Sequence, residues 1–147
     1  MAQPLISYLD IRFVAHATED ENKVLEAVHN ILPVDYQKDV LFNRNVVEGH
    51  YGNPITFFDA RINDKEIVRA LVENISSKLS ILDKEELSRE FDRYVDKGSF
   101  YIRLDKQAAL QKIIKLLIND PIRIRIRFMK SKNEDIMEIC RSIGMII

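Results

Sequence analysis

Hydrophobic and polar positions alternate along residues 5–16, LISYLDIRFVAH. Leu5, Leu9, Ile11, Phe13 and Ala15 face one way, and Tyr8, Asp10, Arg12 and His16 the other. A period of two predicts a strand with one buried face. The spacing then becomes helical: Val24, Leu25, Val28 and Ile31/Leu32 form a stripe that Pro33 ends, and Thr18 with Glu21 has the spacing of a capping box. Two β-rich runs, about 39–48 and 55–63, flank GHYGNP, whose glycines, Asn and Pro predict a hairpin turn. Asp64 is placed to cap a helix with the stripe Ile67, Val68, Leu71, Val72, Ile75 and Leu79. Asp83 starts another, with Leu87, Phe91 and Tyr94 or Val95 inward. Lys97-Gly98-Ser99 turns into the short strand FYIRL, and Asp105 caps a helix read through KQAALQKIIKLLI. DPIRIRIRF, residues 120–128, returns to the two-residue period. A last helix in SKNEDIMEICRSIG carries a second capping box, Ser131 with Glu134, a stripe of Ile136, Ile139, Cys140 and Ile143, and Gly144 as C-terminal cap.

The order β-α-β-β-α-α-β-α-β-α predicts an α+β fold with a mainly antiparallel sheet, helices packed on one face and the other face open. A length of 147 residues suits a single domain, residues 1–147, with a core of its own. Hydrophobic residues at 46% and charged residues at 31% argue against disorder. Cys140, the single cysteine, allows no intrachain disulfide and no thiolate-rich metal site, and it fits a reducing, cytoplasmic setting. MAQPLISYLDIRF has no basic region followed by an apolar stretch, so no signal peptide is expected, and no window reaches the ~20 apolar residues of a membrane span.

A formal net charge of −1 would not by itself suggest a polyanion-binding protein. The distribution changes that picture. Residues 98–147 carry a balance of +5 and residues 1–97 a balance of −6, and residues 121–133 hold Arg123, Arg125, Arg127, Lys130 and Lys132 with no acid among them. Alternate side chains on a strand stand about 6.6–6.8 Å apart. Three guanidinium groups there form a ladder of planar donor forks suited to phosphate oxygens. Like charges this close require an anion opposite. The bland solution is a carboxylate from a neighbouring strand, for which Asp10, Glu48 and Asp59 are the candidates. Arg12, Arg103 and Lys106 could extend the basic row, and Tyr8, Tyr51 and Tyr101 could stack on unpaired bases. In GHYGNP, His50, Tyr51 and Asn53 could read a base edge or a ribose hydroxyl, or the segment could serve only as a tight turn.

Catalysis finds little support. His16, His29 and His50 are scattered without metal-ligand spacing, no nucleophile elbow is present, and Cys140 lies on an apolar stripe. No catalytic residue, metal ligand or cofactor is assigned.

Four runs in one order, HATEDENKVLEAVHNILP, GHYGNPI, FYIRLDKQAAL and DPIRIRI, resemble the archaeal RNA-binding family described as predicted exosome subunits, over about residues 8 to 128. The resemblance implies RNA binding without a known reaction. It also implies a fold similar to the 5S-RNA-binding protein of the large ribosomal subunit. The positions matching its motifs are His16, Thr18 and Glu19, then His50, Tyr51, Gly52 and Asn53. Arg103, Asp105, Lys106 and Gln107 follow, and Asp120, Pro121, Arg123 and Arg125 complete the set. After DKQAAL the family often has a Gly where this chain reads QKIIKLL, a departure that bears on how that helix packs.

The reading is a non-catalytic RNA-binding protein, associated with RNA processing. Arg12, Arg103, Lys106, Arg123, Arg125 and Arg127 contact phosphates, and His50, Tyr51 and Asn53 supply discrimination. About five phosphates neutralised on a single strand would give a slope near −3.5 for log affinity against log salt. Partners are then RNA and RNA-processing proteins, not a membrane, and nothing calls for a homo-oligomer. The rival readings are a protein–protein adaptor using the basic face and, further off, a phosphoester hydrolase built on His16 or His50.

Overall fold

The computed structural model describes residues 5–147, with His50 described by its backbone alone. Six strands and six α-helices follow the chain: β1 (Ile6–Ala15), α1 (Glu21–Ile31), β2 (Asn43–Glu48), β3 (Pro54–Ile62), α2 (Lys65–Lys78), α3 (Ile81–Arg89), α4 (Phe91–Tyr94), β4 (Val95–Asp96), β5 (Ser99–Leu104), α5 (Lys106–Leu110), β6 (Ile122–Phe128) and α6 (Asn133–Ser142). The strands form one antiparallel sheet in the order β2-β3-β1-β6-β5-β4. The first strand and the arginine strand therefore lie side by side in its middle.

The alternation of each strand decides which side is covered. Leu9, Ile11 and Phe13 of β1, Phe58, Ala60 and Ile62 of β3, Phe100, Ile102 and Leu104 of β5, and Ile122, Ile124, Ile126 and Phe128 of β6 are all buried. They meet the stripes of the helices: Val24, Val28 and Ile31 of α1, Val68, Leu71, Val72 and Ile75 of α2, Leu87 of α3, and Ile136, Ile139 and Cys140 of α6. Burial pushes the Cys140 thiol up to about 12, so it stays protonated as a small core hydrophobe. The opposite face carries the intervening, mostly polar residues, and no helix of the described residues covers it. No helix of the described residues is long and apolar enough to cross a membrane.

Several details depart from the pattern in the chain. The register shifts between Ile6 and Tyr8, so Ile6 turns into the core and Leu5 is only partly buried. Lys65 Nζ donates to the carbonyls of Ile6 and Ser7 at 3.0 and 2.9 Å, satisfying the backbone beside that bulge. α1 is capped by Asp20, which accepts from Asn22 N, and not by Thr18. Glu21 instead pairs with Arg44. α3 is capped by Ser80, while Asp83 accepts from Leu116 N. At α6 the cap position is Lys132, with no side-chain bond, so the Ser131–Glu134 capping box does not form. β2 starts at Asn43 rather than near 39, and β4 is an added two-residue strand.

The largest departure is α5, which stops at Leu110 instead of continuing to 118. Lys112 N donates to Ala109 O and Ile113 N to Ala108 O, both at 2.9 Å, with Lys112 at φ +63. This is the helix-ending arrangement usually completed by Gly in the left-handed position. α6 ends the same way with Gly144 at φ +81, as its sequence predicts. A lysine in that role carries no sequence signal. Residues 113–118 then run beside the end of β5, through Asp105 N to Lys115 O at 2.8 Å and Leu117 N to Arg103 O at 3.0 Å.

Ile124 is fully buried at the centre of the sheet. Ile124→Ala is expected to cost roughly 2–5 kcal/mol of unfolding free energy, read from the urea midpoint. Arg125→Lys, one residue away on the open face, should move that midpoint far less.

Candidate functional site

Strand register sorts the open face into cross-strand rows. Arg103 on β5, Arg123 on β6 and Arg12 on β1 are direct neighbours, followed by Asp59 on β3 and Asn43 on β2. The next row is Tyr101, Arg125, Asp10 and Arg61, and the one after begins Ser99, Arg127 and Tyr8. Neighbouring strands lie about 4.8 Å apart, so three arginines in a row are closely set.

The rows differ in how their charge is met. Asp10, with its side chain only 7% exposed, accepts two bonds from Arg61, at 2.8 and 3.1 Å, and lies 3.7 Å from Arg125. Arg125 also donates from Nε to Ser99 Oγ at 2.9 Å. Of the candidate carboxylates only Asp10 therefore engages the arginine strand. Asp59 accepts from Asn43 at 2.8 Å, and Glu48 lies at the far edge opposite Pro54. Arg127 donates to Lys97 O, its guanidinium against Gly98, where a Cβ would meet Nη1 at 2.8 Å. Gly98 has φ +89, the left-handed region, and it is this backbone conformation that calls for glycine.

Arg12, Arg103 and Arg123 have no ion pair among the described residues. Arg123 Nε is buried without a hydrogen-bond partner. Burial, then the charges of Arg12, Arg103 and Arg125, hold the Arg123 guanidinium below its usual range, with Tyr101 partly opposing them. The two tyrosines of the face are each flanked by two guanidinium groups. Tyr101 has Arg103 and Arg123 at 5.7 and 5.4 Å from its ring centre, and Tyr8 has Arg61 and Arg125 at 4.0 and 5.9 Å.

Lys106 does not extend these rows. Its side chain is 7% exposed, and its Nζ lies 2.7 Å from Asp120 Oδ2, 3.0 Å from Glu19 Oε1 and 2.9 Å from Val14 O. An ammonium buried and saturated in this way ties the end of β1 to the chain on either side. His16 Nε2 joins at 3.0 Å from Asp120 Oδ1, and His16 N donates to Glu19. Ligand atoms of His16, Glu19 and Asp120 come within 4.8 Å of one another. Lys106 already supplies the cation there, so the set does not fit a metal. Burial raises Asp120, but hydrogen bonds from Lys106 and His16 outweigh it and hold the carboxyl below its ordinary value of 3.8.

The hairpin turn is not brought to the arginine row. It lies beyond Pro54, five residues and so roughly 17 Å along β3 from Asp59. Tyr51 is fully exposed at φ +64, Asn53 is exposed, and the side chain of His50 lies outside the described residues. Sequence reasoning missed Arg61, Ser99, Phe57 and Asn43. The alternation of 55–63 already places Phe57, Asp59 and Arg61 on one side, and only the strand order shows whose side it is.

A family model described as RNA binding matches residues 8–128. The chain belongs to that family. RNA-binding protein PAB1135 of Pyrococcus abyssi is 37% identical over 136 residues, covering 89% of this chain and 88% of its own length. Uncharacterized protein MJ0213 of Methanocaldococcus jannaschii is 30% identical, with 92% and 95% covered. Among solved structures, Mth689 of Methanothermobacter thermautotrophicus matches with a TM-score of 0.77 at 29% identity, covering 95% of this chain and 98% of that one. The matched region takes in β1 to β6 and ends before α6.

Two outcomes follow from the electrostatics. Arg123→Met removes a desolvated, unpartnered N–H and a like charge, and should raise unfolding free energy by on the order of 1 kcal/mol. Chemical denaturation checks it. Because Asp120 titrates lower folded than unfolded, its contribution is complete above the ordinary value of 3.8 and is lost as pH falls through the folded value. Asp120→Asn should flatten that part of the acid-unfolding profile, leaving stability near neutral pH lower and the acid limb shallower.

Proposed function

We propose that the open sheet face binds RNA through the row Arg103–Arg123–Arg12, without catalysis. The observation that carries this reading is the buried, unpartnered Arg123 Nε between two unpaired arginines. A guanidinium in that position costs about 1–3 kcal/mol unless an acceptor arrives. A phosphate oxygen lying over the row relieves the repulsion among three cations at once, although Nε itself is buried beneath the surface. Membership of a family described as RNA binding agrees with this. Arg125 stands in the adjacent row and Arg127 in the one after it, each with part of its donor capacity used. Tyr51, Asn53 and His50 belong to a separate contact on the hairpin, reached only by a longer RNA.

With Lys106 occupied and Arg125 largely matched by Asp10, about three phosphates are neutralised rather than five. The slope of log affinity against log salt is then near −2 for a single strand. Changing Arg12, Arg103 and Arg123 together to Ala should abolish most of that slope and weaken binding on the order of 100-fold, measured by fluorescence anisotropy on single-stranded RNA. Lysine at the three positions should keep the slope and lose part of the affinity. Unchanged binding by the Ala variant would overturn the reading.

Association with RNA-processing proteins, the exosome included, is what the four-motif resemblance implies. Recovery of such proteins from extract only when RNA is intact would place RNA between them. A complex surviving ribonuclease and lost in the Ala variant would instead favour an adaptor that uses the basic face.

A further inference from the structure

The arginine row does not end in solvent. On β3 it meets Asp59, and one row further along the same strand stands Phe57, 44% exposed on the open face. Phe58, its neighbour in sequence, points the other way and stacks on Phe13 with ring centres 4.9 Å apart. Phe57 has no ring contact among the described residues, and its cross-strand neighbours are Val14 and Asn45. A phenyl this exposed, diagonal to Arg12 at the end of the arginine row, is poorly explained as packing. It is well explained as a surface on which an unpaired base lies while its phosphates reach the arginines.

Asp59 adds the second half. If its role were to neutralise Arg12, its partner in register, the two would form an ion pair, and they do not. Asn43 holds it instead, donating to Oδ1 at 2.8 Å. That bond holds the exposed carboxylate and leaves Oδ2 without a hydrogen-bond partner among the described residues. Side chains two apart on a strand emerge about 6.6–6.8 Å apart, a separation a purine stacked on Phe57 can span to present its edge to Asp59. Guanine offers two adjacent donors, N1–H and the N2 amino group, to one carboxylate. Uracil offers a single donor between two carbonyl oxygens, which the carboxylate repels.

We infer that Phe57 is a base-stacking platform and that Asp59, positioned by Asn43, selects guanine there, so that the ligand is single-stranded RNA with an unpaired G. This rests on the RNA-binding reading of the arginine row and names its substrate class. The strand crosses the sheet from β3 toward β5, base first and phosphates over Arg12, Arg123 and Arg103.

The test uses the full chain and three RNA probes in fluorescence anisotropy: the hexamers UUGUUU and UUUUUU, and a blunt-ended duplex. The wild-type protein should bind UUGUUU about tenfold tighter than UUUUUU, and the duplex more weakly than either. Phe57→Ala should weaken both hexamers about tenfold, and Phe57→Tyr should restore them. Asp59→Asn should abolish the preference for UUGUUU while leaving UUUUUU binding in place. Circular dichroism and light scattering of each variant report fold and oligomeric state. Wild-type behaviour of Phe57→Ala and Asp59→Asn, alongside lost binding in the triple arginine variant, overturns this inference and spares the phosphate reading. Wild-type binding by the triple variant as well overturns both. Equal affinity for the two hexamers removes Asp59 as selector, and equal affinity for the duplex removes the platform. A change of oligomeric state in Phe57→Ala without any change in RNA binding assigns the phenyl to a second copy of the chain.

Discussion

The open face depends on the anchoring of β6 from behind. Ile122, Ile124 and Ile126 are fully buried against the helices, each contributing on the order of 2 kcal/mol from the apolar surface removed from water. Strand geometry allows no other place for Arg123, Arg125 and Arg127 than the opposite side. Isoleucine burial outweighs what it costs to hold one guanidinium partly desolvated beside like charges. The strand can therefore keep Arg123 where, by itself, it would not stay.

Charge on the face is divided rather than spread. At one end Asp10 gathers Arg61 and Arg125, with Tyr8 between the two guanidinium groups, so one carboxylate is shared by two cations. In the adjacent row Arg12, Arg123 and Arg103 have no ion pair among the described residues, and the Tyr101 ring lies against Arg103 and Arg123. Asp59, which could have closed this row, is turned to Asn43. The division separates residues that hold the sheet from residues that remain available to an anion.

A second polar network serves the fold. Lys106, at the first turn of α5, reaches back to the end of β1 and is closed by Glu19 and Asp120. Residues that read in the sequence as part of a basic patch or as motif positions thus fasten the chain before α1 and before β6. A buried lysine that lost both acids would be left an uncompensated charge, which gives these motif positions a structural reason independent of any ligand.

The periods of two and 3.6 residues carried the α+β architecture, the inward isoleucines of β6, the caps at Asp64 and Asp105 and the left-handed Gly144, because each depends on neighbours within a few residues. The end of α5 was invisible since Lys112 takes a conformation for which lysine gives no signal. The caps of α1 and α3 were misplaced because several Ser, Thr and Asp residues compete at each helix start, and tertiary partners such as Arg44 and Leu116 choose among them. At α6 the cap position falls one residue beyond Ser131, at Lys132, with no side-chain cap. For the site, alternation in the chain determined that three arginines share a side. It could not determine which strands lie next to β6. Placing β1 on one flank and β5 on the other was a tertiary decision, set by packing of the whole sheet on its helices. That placement joined Arg12 and Arg103 to Arg123, gave Asp10 to Arg125 and enclosed Lys106, because charges act through space and not along the chain.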